Sequence, residues 1–403
     1  WEYPPPDCDE SITDTSSAHH CSNFGGNSLY DVYISNDAVG MVVPETAYPV
    51  EPYTGGYTSY MKISTLLNEH ETLPSWSEHV VAHELHHSIQ LRYGYSVSGV
   101  PGNYMYNGWF FEQTATYMEN VIYPNSIHLS TMLGNCNVVT PLTYPEYSID
   151  YPAEIYPYRS ALWQKFLVES LEDSLIIRYI WEDYGLEYTT GNPVSLFPIY
   201  NNAIQHVTDN ENTLSDAYSD YSLWRYFTGE RTIPGQQFNE SSIYCTASTL
   251  PYLDNTFSLS SNKGGSRYID LPSEDISFII NTDSNEDFNF FHLRIDQNDE
   301  IHLENLYFED NNYYLNIFEE DSNVLLVNSN FNGQESTAIT FSLLVNDNTG
   351  DINNDSFVNV IDIVILVEHI LSPLTIELDG ADINNDGDIN ILDVIQLVNI
   401  ILS

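Results

Sequence analysis

Asp351-Ile352-Asn353-Asn354-Asp355 returns as Asp382-Ile383-Asn384-Asn385-Asp386, a spacing of 31, and each copy leads into an apolar, helix-like run. No other feature restricts the fold so tightly, because repetition at this period needs a shared physical cause. In each copy, oxygen-bearing side chains stand at loop positions 1, 3, 5, 9 and 12. They are Asp351, Asn353, Asp355, Asn359 and Asp362 in the first, and Asp382, Asn384, Asp386, Asn390 and Asp393 in the second. A tight loop that points alternate residues inward and then starts a helix delivering the twelfth wraps a hard cation in six or seven oxygens, which is the geometry of Ca²⁺. The backbone carbonyls of Phe357 and Asp388 supply position 7 in this reading. Gly387 occupies the turn position of the second loop, where Ser356 stands in the first, so the first site is expected to be the weaker. Charge agrees with a cation requirement: from Ile295 to Ser403 there are 21 Asp plus Glu and no Lys or Arg. Such a stretch repels itself unless salt or bound cations intervene.

The paired loop-plus-helix unit, with Asp rather than Glu at position 12, resembles a type I dockerin over about 57 residues. The resemblance implies Ca²⁺ in both loops. It also implies two helices, over 360–371 and 391–402, that present a nearly symmetric face to a cohesin partner. Positions 10 and 11 depart from the cellulosomal pattern, being Val360-Ile361 and Ile391-Leu392 instead of small polar residues. An apolar face of this kind can alternatively dock on its own chain or on a neighbouring copy.

The strongest chemical signal is His83-Glu84-Leu85-His86-His87. Ser75 and Glu78 make a capping-box pattern before it and Gly94 is a stop after it, so one helix is expected from Trp76 to Tyr93. His83 and His87, four apart, share a face and can reach one Zn²⁺, with Glu84 beside the open coordination position to handle a bound water. His86 points away and is expected to pack. A third ligand is offered by a second helix, over 108–122, capped by Asn107 and ended by Pro124. Within it Glu112, 25 residues after His87, stands among Trp109, Phe110 and Phe111, where an unpaired carboxylate is costly. The three-histidine pattern HExxHxxGxxH is absent, since Gln90 and Tyr93 stand at its Gly and last His. Thr116 or Glu119, one or two turns on, is placed to orient a ligand histidine.

These residues resemble the gluzincin metallopeptidases. The runs HELHHSIQ, WFFEQTATYMEN and YPYRSALWQKFLVE resemble, over about Tyr30 to Tyr184, a family of secreted bacterial metalloprotease-like proteins that carry a β-rich domain after the peptidase. The resemblance implies Zn²⁺ on His83, His87 and Glu112 with Glu84 as general base. It also implies a downstream oxyanion donor: Tyr158, opening a helix that continues through Leu162 and Phe166, is the first candidate and Tyr156 the second. Two departures stand out: Gln113 where the family often has Gly, and Thr116 in place of an acidic residue that orients a ligand.

The expected fold is multidomain α+β. A zincin-like metallopeptidase domain (1–245) holds all six tryptophans and nine of the twelve histidines. An antiparallel β-sandwich (246–346) is read from runs at 290–295, 313–318 and 324–327 between Asn-rich turns. A small all-α dockerin-like double EF-hand-type module (347–403) closes the chain. Four cysteines without a CxxC favour disulfides, Cys8 with Cys21 first and Cys136 with Cys245 following. Free buried thiols, or a Cys21 metal site beside His19 and His20, are the alternatives.

The net charge of −48 opposes nucleic-acid and anionic-membrane partners. No apolar run approaches the roughly 18 residues of a membrane span. A chain opening on Trp1 fits an exported product freed of its leader, so the expected location is secreted, extracellular or cell-surface. The expected function is zinc-dependent hydrolysis of a peptide or protein substrate, with a calcium-stabilised tail binding a cohesin-like partner or another copy. The alternative is a calcium-dependent extracellular filament or adhesion subunit built on a peptidase-like fold.

Overall fold

The computed structural model describes residues 4, 5, 8–23, 26–36, 39–65, 76–94, 104–124, 126–152, 155–190, 194–233, 237–252, 256–260, 264–273, 276–282, 288–298, 300–309, 312–317, 321–331, 338–345, 350–353, 358–372, 380–384 and 387–402. A three-stranded sheet of β1 (Val32–Ser35), β2 (Gly40–Ala47) and β3 (Tyr57–Ser64) comes first. In it β3 is central, parallel to β1 and antiparallel to β2. Among the described residues eight helices follow: α1 (Trp76–Gln90), α2 (Tyr104–Ile122), α3 (His128–Leu133), α4 (Tyr156–Arg159), α5 (Leu162–Leu171), α6 (Ile176–Thr189), α7 (Leu196–Val207) and α8 (Leu214–Tyr226). The core that collects them is aromatic. Trp163, Trp181, Phe110, Tyr184, Tyr200 and Tyr221 are all fully enclosed. Phe110 stacks on Trp181 at 4.4 Å and Phe111 meets the same indole edge-on at 4.9 Å. This contact fixes the first turn of α2 beyond Asn107, and with it the direction of Glu112.

Three local expectations are corrected. α1 ends at Gln90 rather than Tyr93, because the Leu91 carbonyl leaves the helix to accept from Tyr57 N–H beside β3. Gly94 then passes against the Tyr188 ring at φ +153, where a Cβ would lie 2.6 Å from the ring. The helix over 108–122 does start after Asn107, as expected, since α2 is two helices met at a kink there (φ −109, ψ 18); the correction is to the side chain, whose Nδ2 donates to the Val194 carbonyl. The helix expected to open at Tyr158 and run through Phe166 is two helices, α4 and α5, broken at Ser160-Ala161. Ser75, half of the expected capping box, lies outside the described residues.

Ten short strands follow: β4 (Leu250–Pro251), β5 (Thr256–Ser260), β6 (Ser266–Asp270), β7 (Ile276–Thr282), β8 (Phe288–Ile295), β9 (Ile301–Asn305), β10 (Phe308–Glu309), β11 (Asn312–Ile317), β12 (Ser322–Ser329) and β13 (Ala338–Val345). They form two five-stranded sheets in the orders β10-β11-β7-β13-β5 and β4-β6-β12-β8-β9. The sheets share one core, to which β7 and β11 contribute Phe278, Ile280, Tyr313 and Leu315, and β8 and β12 contribute Phe290, Leu325 and Val327. Among the described pairings of these two sheets only β4 with β6 is parallel. The period of two along a strand decides the other face: Phe291, Leu293, Val324 and Leu326 turn outward onto Tyr226 and Phe227 at the end of α8. Buried Arg225 of α8 donates to Ser266 Oγ at 2.7 Å, and Tyr268 O–H donates to the Ser222 carbonyl at 2.7 Å, joining the helices to β6.

The chain ends in α9 (Val360–Leu371) and α10 (Ile391–Leu402), which enclose Ile352, Leu366, Ala381, Ile383 and Leu397 in a small core of their own. Both expected disulfides are present, Cys8–Cys21 and Cys136–Cys245, and the described residues hold no free cysteine. No described helix is long and apolar enough to cross a membrane.

Candidate functional site

α1 packs against α2 on one side and against β2 and β3 on the other. The cleft between them, about 310 Å³, is lined by Gly40, Met41, Val42, Pro44, Leu91 and Phe111 together with His83, Glu84, His87, Glu112 and Tyr158. The three expected zinc ligands, His83, His87 and Glu112, therefore face one cavity with Glu84 and Tyr158. Tyr156, the second oxyanion candidate, does not: it is buried behind the cleft, donating to the Tyr147 carbonyl.

Three donor atoms converge on one point. His83 Nε2 lies 3.1 Å from Glu112 Oε2, His87 Nε2 lies 3.3 Å from the same oxygen, and the two Nε2 atoms are 3.1 Å apart. His83 Nδ1 donates to Glu119 Oε1 at 2.9 Å and His87 Nδ1 donates to Gln90 Oε1 at 2.7 Å. The Gln90 amide is itself fixed, since its Nε2 donates to the Phe111 carbonyl and to Thr114 Oγ1, both at 2.9 Å. With both Nδ1 protons committed, each imidazole in its neutral form would present an Nε2 lone pair to the other and to a carboxylate. Two nitrogens and a carboxylate oxygen this close repel unless a proton or a metal ion sits between them, and without an ion the raised His83 imidazole carries that proton. Tetrahedral Zn²⁺ with bonds of 2.0–2.1 Å sets its ligands roughly 3.3 Å apart, so the donor set fits the ion. Among the described residues His83, His87 and Glu112 form one of two such groups; the other is the more exposed Asp296, Glu300 and His302.

Electrostatics follow the same geometry. Burial raises the Glu112 carboxyl, but the two histidines outweigh it and hold its pKa far below the usual range. Burial lowers the His83 imidazole, while Glu112 and Glu119 reverse this and raise it to about 10. Glu84 is raised by burial against the pull of His87 and His83, and the Val42 backbone N–H donates to its carboxylate. Tyr158 stacks flat over the His83 ring at 5.5 Å, and burial together with Glu112 pushes its phenol well up, so its O–H is a hydrogen-bond donor. Gln113, in place of the family's frequent Gly, donates to Ser160 Oγ at 2.8 Å and to the Ile149 carbonyl at 2.7 Å, so it anchors the turn that brings Tyr158 over the cleft.

Of the two residues expected to orient a ligand histidine, Glu119 bonds to His83 and Thr116 does not; the buried Thr116 hydroxyl bonds to nothing among the described residues. His86 is buried edge-on to Trp181 at 6.5 Å and burial depresses its pKa strongly, in line with a packing role. Sequence reading missed Gln90, which it treated only as a departure from the three-histidine pattern, and His128, which donates to Glu119 Oε2 at 2.6 Å. It also missed β2 as a wall of the cleft. The i, i+7 relation of Glu112 and Glu119 was the available signal for the supporting layer, since that spacing keeps one helix face.

The calcium loops repeat one set of bonds. Asp362 Oδ1 accepts from Ile352 and Asn353 N–H at 2.9 and 3.2 Å, and Oδ2 accepts from Asn359 N–H at 2.7 Å. Asp393 accepts from Ile383, Asn384 and Asn390 N–H at 2.9, 3.2 and 2.8 Å. Asp351, Asp362 and Asp393 are buried, which suits carboxylates meant for an internal cation. Gly387 adopts φ +89 at the turn and donates to Asp382 Oδ2 at 2.8 Å. Gly350 N–H donates to the Gly380 carbonyl at 3.0 Å, setting the two loops back to back. Asn353, Asn359, Asp382, Asn384, Asp388 and Asn390 stand in the described loop segments. Asp355, Phe357, Asp386 and Ser356 lie outside the described residues. The apolar positions 10 and 11 are open to solvent in both copies, with Val360 63% and Ile391 60% exposed.

Residues 349–402 match the type I dockerin domain, so the chain carries a dockerin at its C-terminus, as expected, and Ca²⁺ is supported as the ion of the two loops. Residues 51–185 match a family of unknown function, DUF6055, and that span contains His83, Glu84, His87, Glu112, Glu119, His128 and Tyr158. No curated protein matches the chain at a significant level.

Proposed function

We propose that residues 1–245 form a zincin-like metallopeptidase domain that hydrolyses peptide bonds, with Zn²⁺ held by His83, His87 and Glu112. In this reading residues 246–346 form a β-sandwich packed on it. Residues 347–403 attach the enzyme outside the cell through a calcium-filled dockerin, to a cohesin-like partner or to another copy. One observation carries the peptidase reading: three potential ligand atoms meet 3.1–3.3 Å apart beside Glu84 and Tyr158 in a single cleft. The bound ion would polarise the scissile carbonyl and make its water acidic. Glu84, buried and raised in pKa, would take the water proton and pass it to the leaving nitrogen. The Tyr158 O–H would donate to the carbonyl oxygen as charge develops there. Edge strand β2 leaves main-chain groups open for an extended peptide, and Met41, Val42, Leu91 and Phe111 supply apolar walls that keep water away.

A second reading, a calcium-dependent assembly subunit on a peptidase-like fold, is favoured by the apolar residues exposed at matching positions of both dockerin helices. One experiment separates them. The full chain, with calcium and zinc, is incubated with casein and with a peptide library beside its Glu84→Gln variant. Cleavage by the wild type alone supports the peptidase. If both are inert while particles elongate with Ca²⁺ and fall apart with chelator, the peptidase reading is lost and assembly stands.

A further inference from the structure

Glu119 serves two histidines at once. It lies on α2 two turns beyond Glu112, 2% exposed, with Oε1 2.9 Å from His83 Nδ1 and Oε2 2.6 Å from His128 Nδ1. An ionised carboxylate only accepts, so both Nδ1 atoms carry the proton. His128 opens α3 and is itself held in place. Its backbone N–H donates to Ser126 Oγ at 3.3 Å, and its ring stacks on His79 at 5.4 Å. His79 in turn meets Ser126 Oγ at 3.1 Å and the Tyr123 ring edge-on. The His128 side chain keeps 19% exposure while Glu119 keeps 3%.

We propose that His128 is a positioning residue of the metal centre: through Glu119 it keeps the His83 proton on Nδ1 and the Nε2 lone pair aimed at the ion. This rests on the zinc reading above. The physical reason is that a buried carboxylate with two strong donors is held in charge and in rotation, whereas one left with His83 alone is poorly compensated. Relief comes by turning the carboxyl, which loosens the His83 Nδ1 contact that sets its tautomer. The thermolysin-like position for such an acid is Thr116, which contributes nothing here. Glu119 makes the contact to His83 instead, and His128 backs it.

The test is zinc affinity of the full chain in millimolar calcium, by competition with a zinc-selective chromophoric chelator, with the melting temperature of each zinc-free protein followed in parallel. His128→Leu, which fills the space without a donor, is expected to weaken zinc about ten- to hundred-fold. His128→Asn, whose Nδ2 replaces Nδ1, is expected to stay within about threefold of wild type, because one donor to Glu119 is restored. If His128→Leu does not fold, His128→Ser, too short to reach Glu119, is expected to show the same loss. Wild-type affinity in the donor-free variant overturns the proposal and leaves the zinc reading standing, as does failure of Asn to restore the affinity. Absence of stoichiometric zinc from the wild type overturns both.

Discussion

Gln90 accepts the Nδ1 proton of His87 at 2.7 Å, three residues along the same helix. The amide cannot turn over to present its nitrogen instead, because that nitrogen is spent on the Phe111 carbonyl and Thr114 Oγ1 of α2. A glutamine that stands at the glycine of the absent three-histidine pattern thus fixes the tautomer of the second histidine. Gln90→Leu should raise the zinc dissociation constant about tenfold, and Gln90→Glu, which keeps an acceptor, should not. Chelator competition on both variants checks this; equal affinities across all three proteins would remove Gln90 from the site.

Tyr158→Phe removes only the hydroxyl of a ring that keeps its stack on His83. If that hydroxyl donates to developing charge, kcat on a peptide substrate should fall about a hundredfold while KM and zinc content stay near wild type. A fall in zinc content of the same size would place the hydroxyl with Glu112, as support for a ligand, and not with the substrate.

Gly40 is where β2 comes nearest to α1. A Cβ there would lie 2.4 Å from Val80 Cγ1 and 2.9 Å from the Glu84 carboxylate, so Gly40→Ala must move the strand or the glutamate. Displacement of a proton-transfer group by even about 1 Å is costly, and kcat is expected to fall about ten- to hundred-fold with zinc retained. Unchanged kinetics would show that β2 yields without disturbing Glu84.

Calcium removal should act locally. With a chelator the segment 347–403 should become sensitive to limited proteolysis, because the loops lose binding energy of about 2.7 kcal/mol per site at a calcium concentration a hundred times the dissociation constant. The rest of the chain, which keeps its own aromatic core, should persist as a trimmed product. Asp393→Ala, which takes a carboxylate from three backbone N–H groups at once, should give the same cleavage in the presence of calcium. A tail equally resistant in both conditions would contradict the loops as ion sites.

What was legible in the sequence is what local geometry encodes. His83 and His87 share a helix face by spacing alone, and the repeat returns the twelfth residue of each loop, Asp362 and Asp393, to that loop's own backbone N–H groups. Strand runs at 290–295 and 324–327 declared themselves by composition, and β8 and β12 contain them. Partners were less legible: Asn107 reads as the start of the second helix and a kink stands there, but only the arrival of the Val194 carbonyl decides what its side chain bonds to.

By itself, then, the sequence determined the chemistry on offer: two imidazoles and a glutamate on one helix, a second carboxylate in an apolar run, and two oxygen-rich loops. The tertiary structure alone decided which of these meet. Trp181 locks Phe110 and Phe111 and so aims Glu112. Gln113 pins the turn that carries Tyr158 across the cleft, and α3 brings His128 to Glu119. Each of these contacts joins separate segments, and their strength comes from burial in a shared core, which no window of sequence contains.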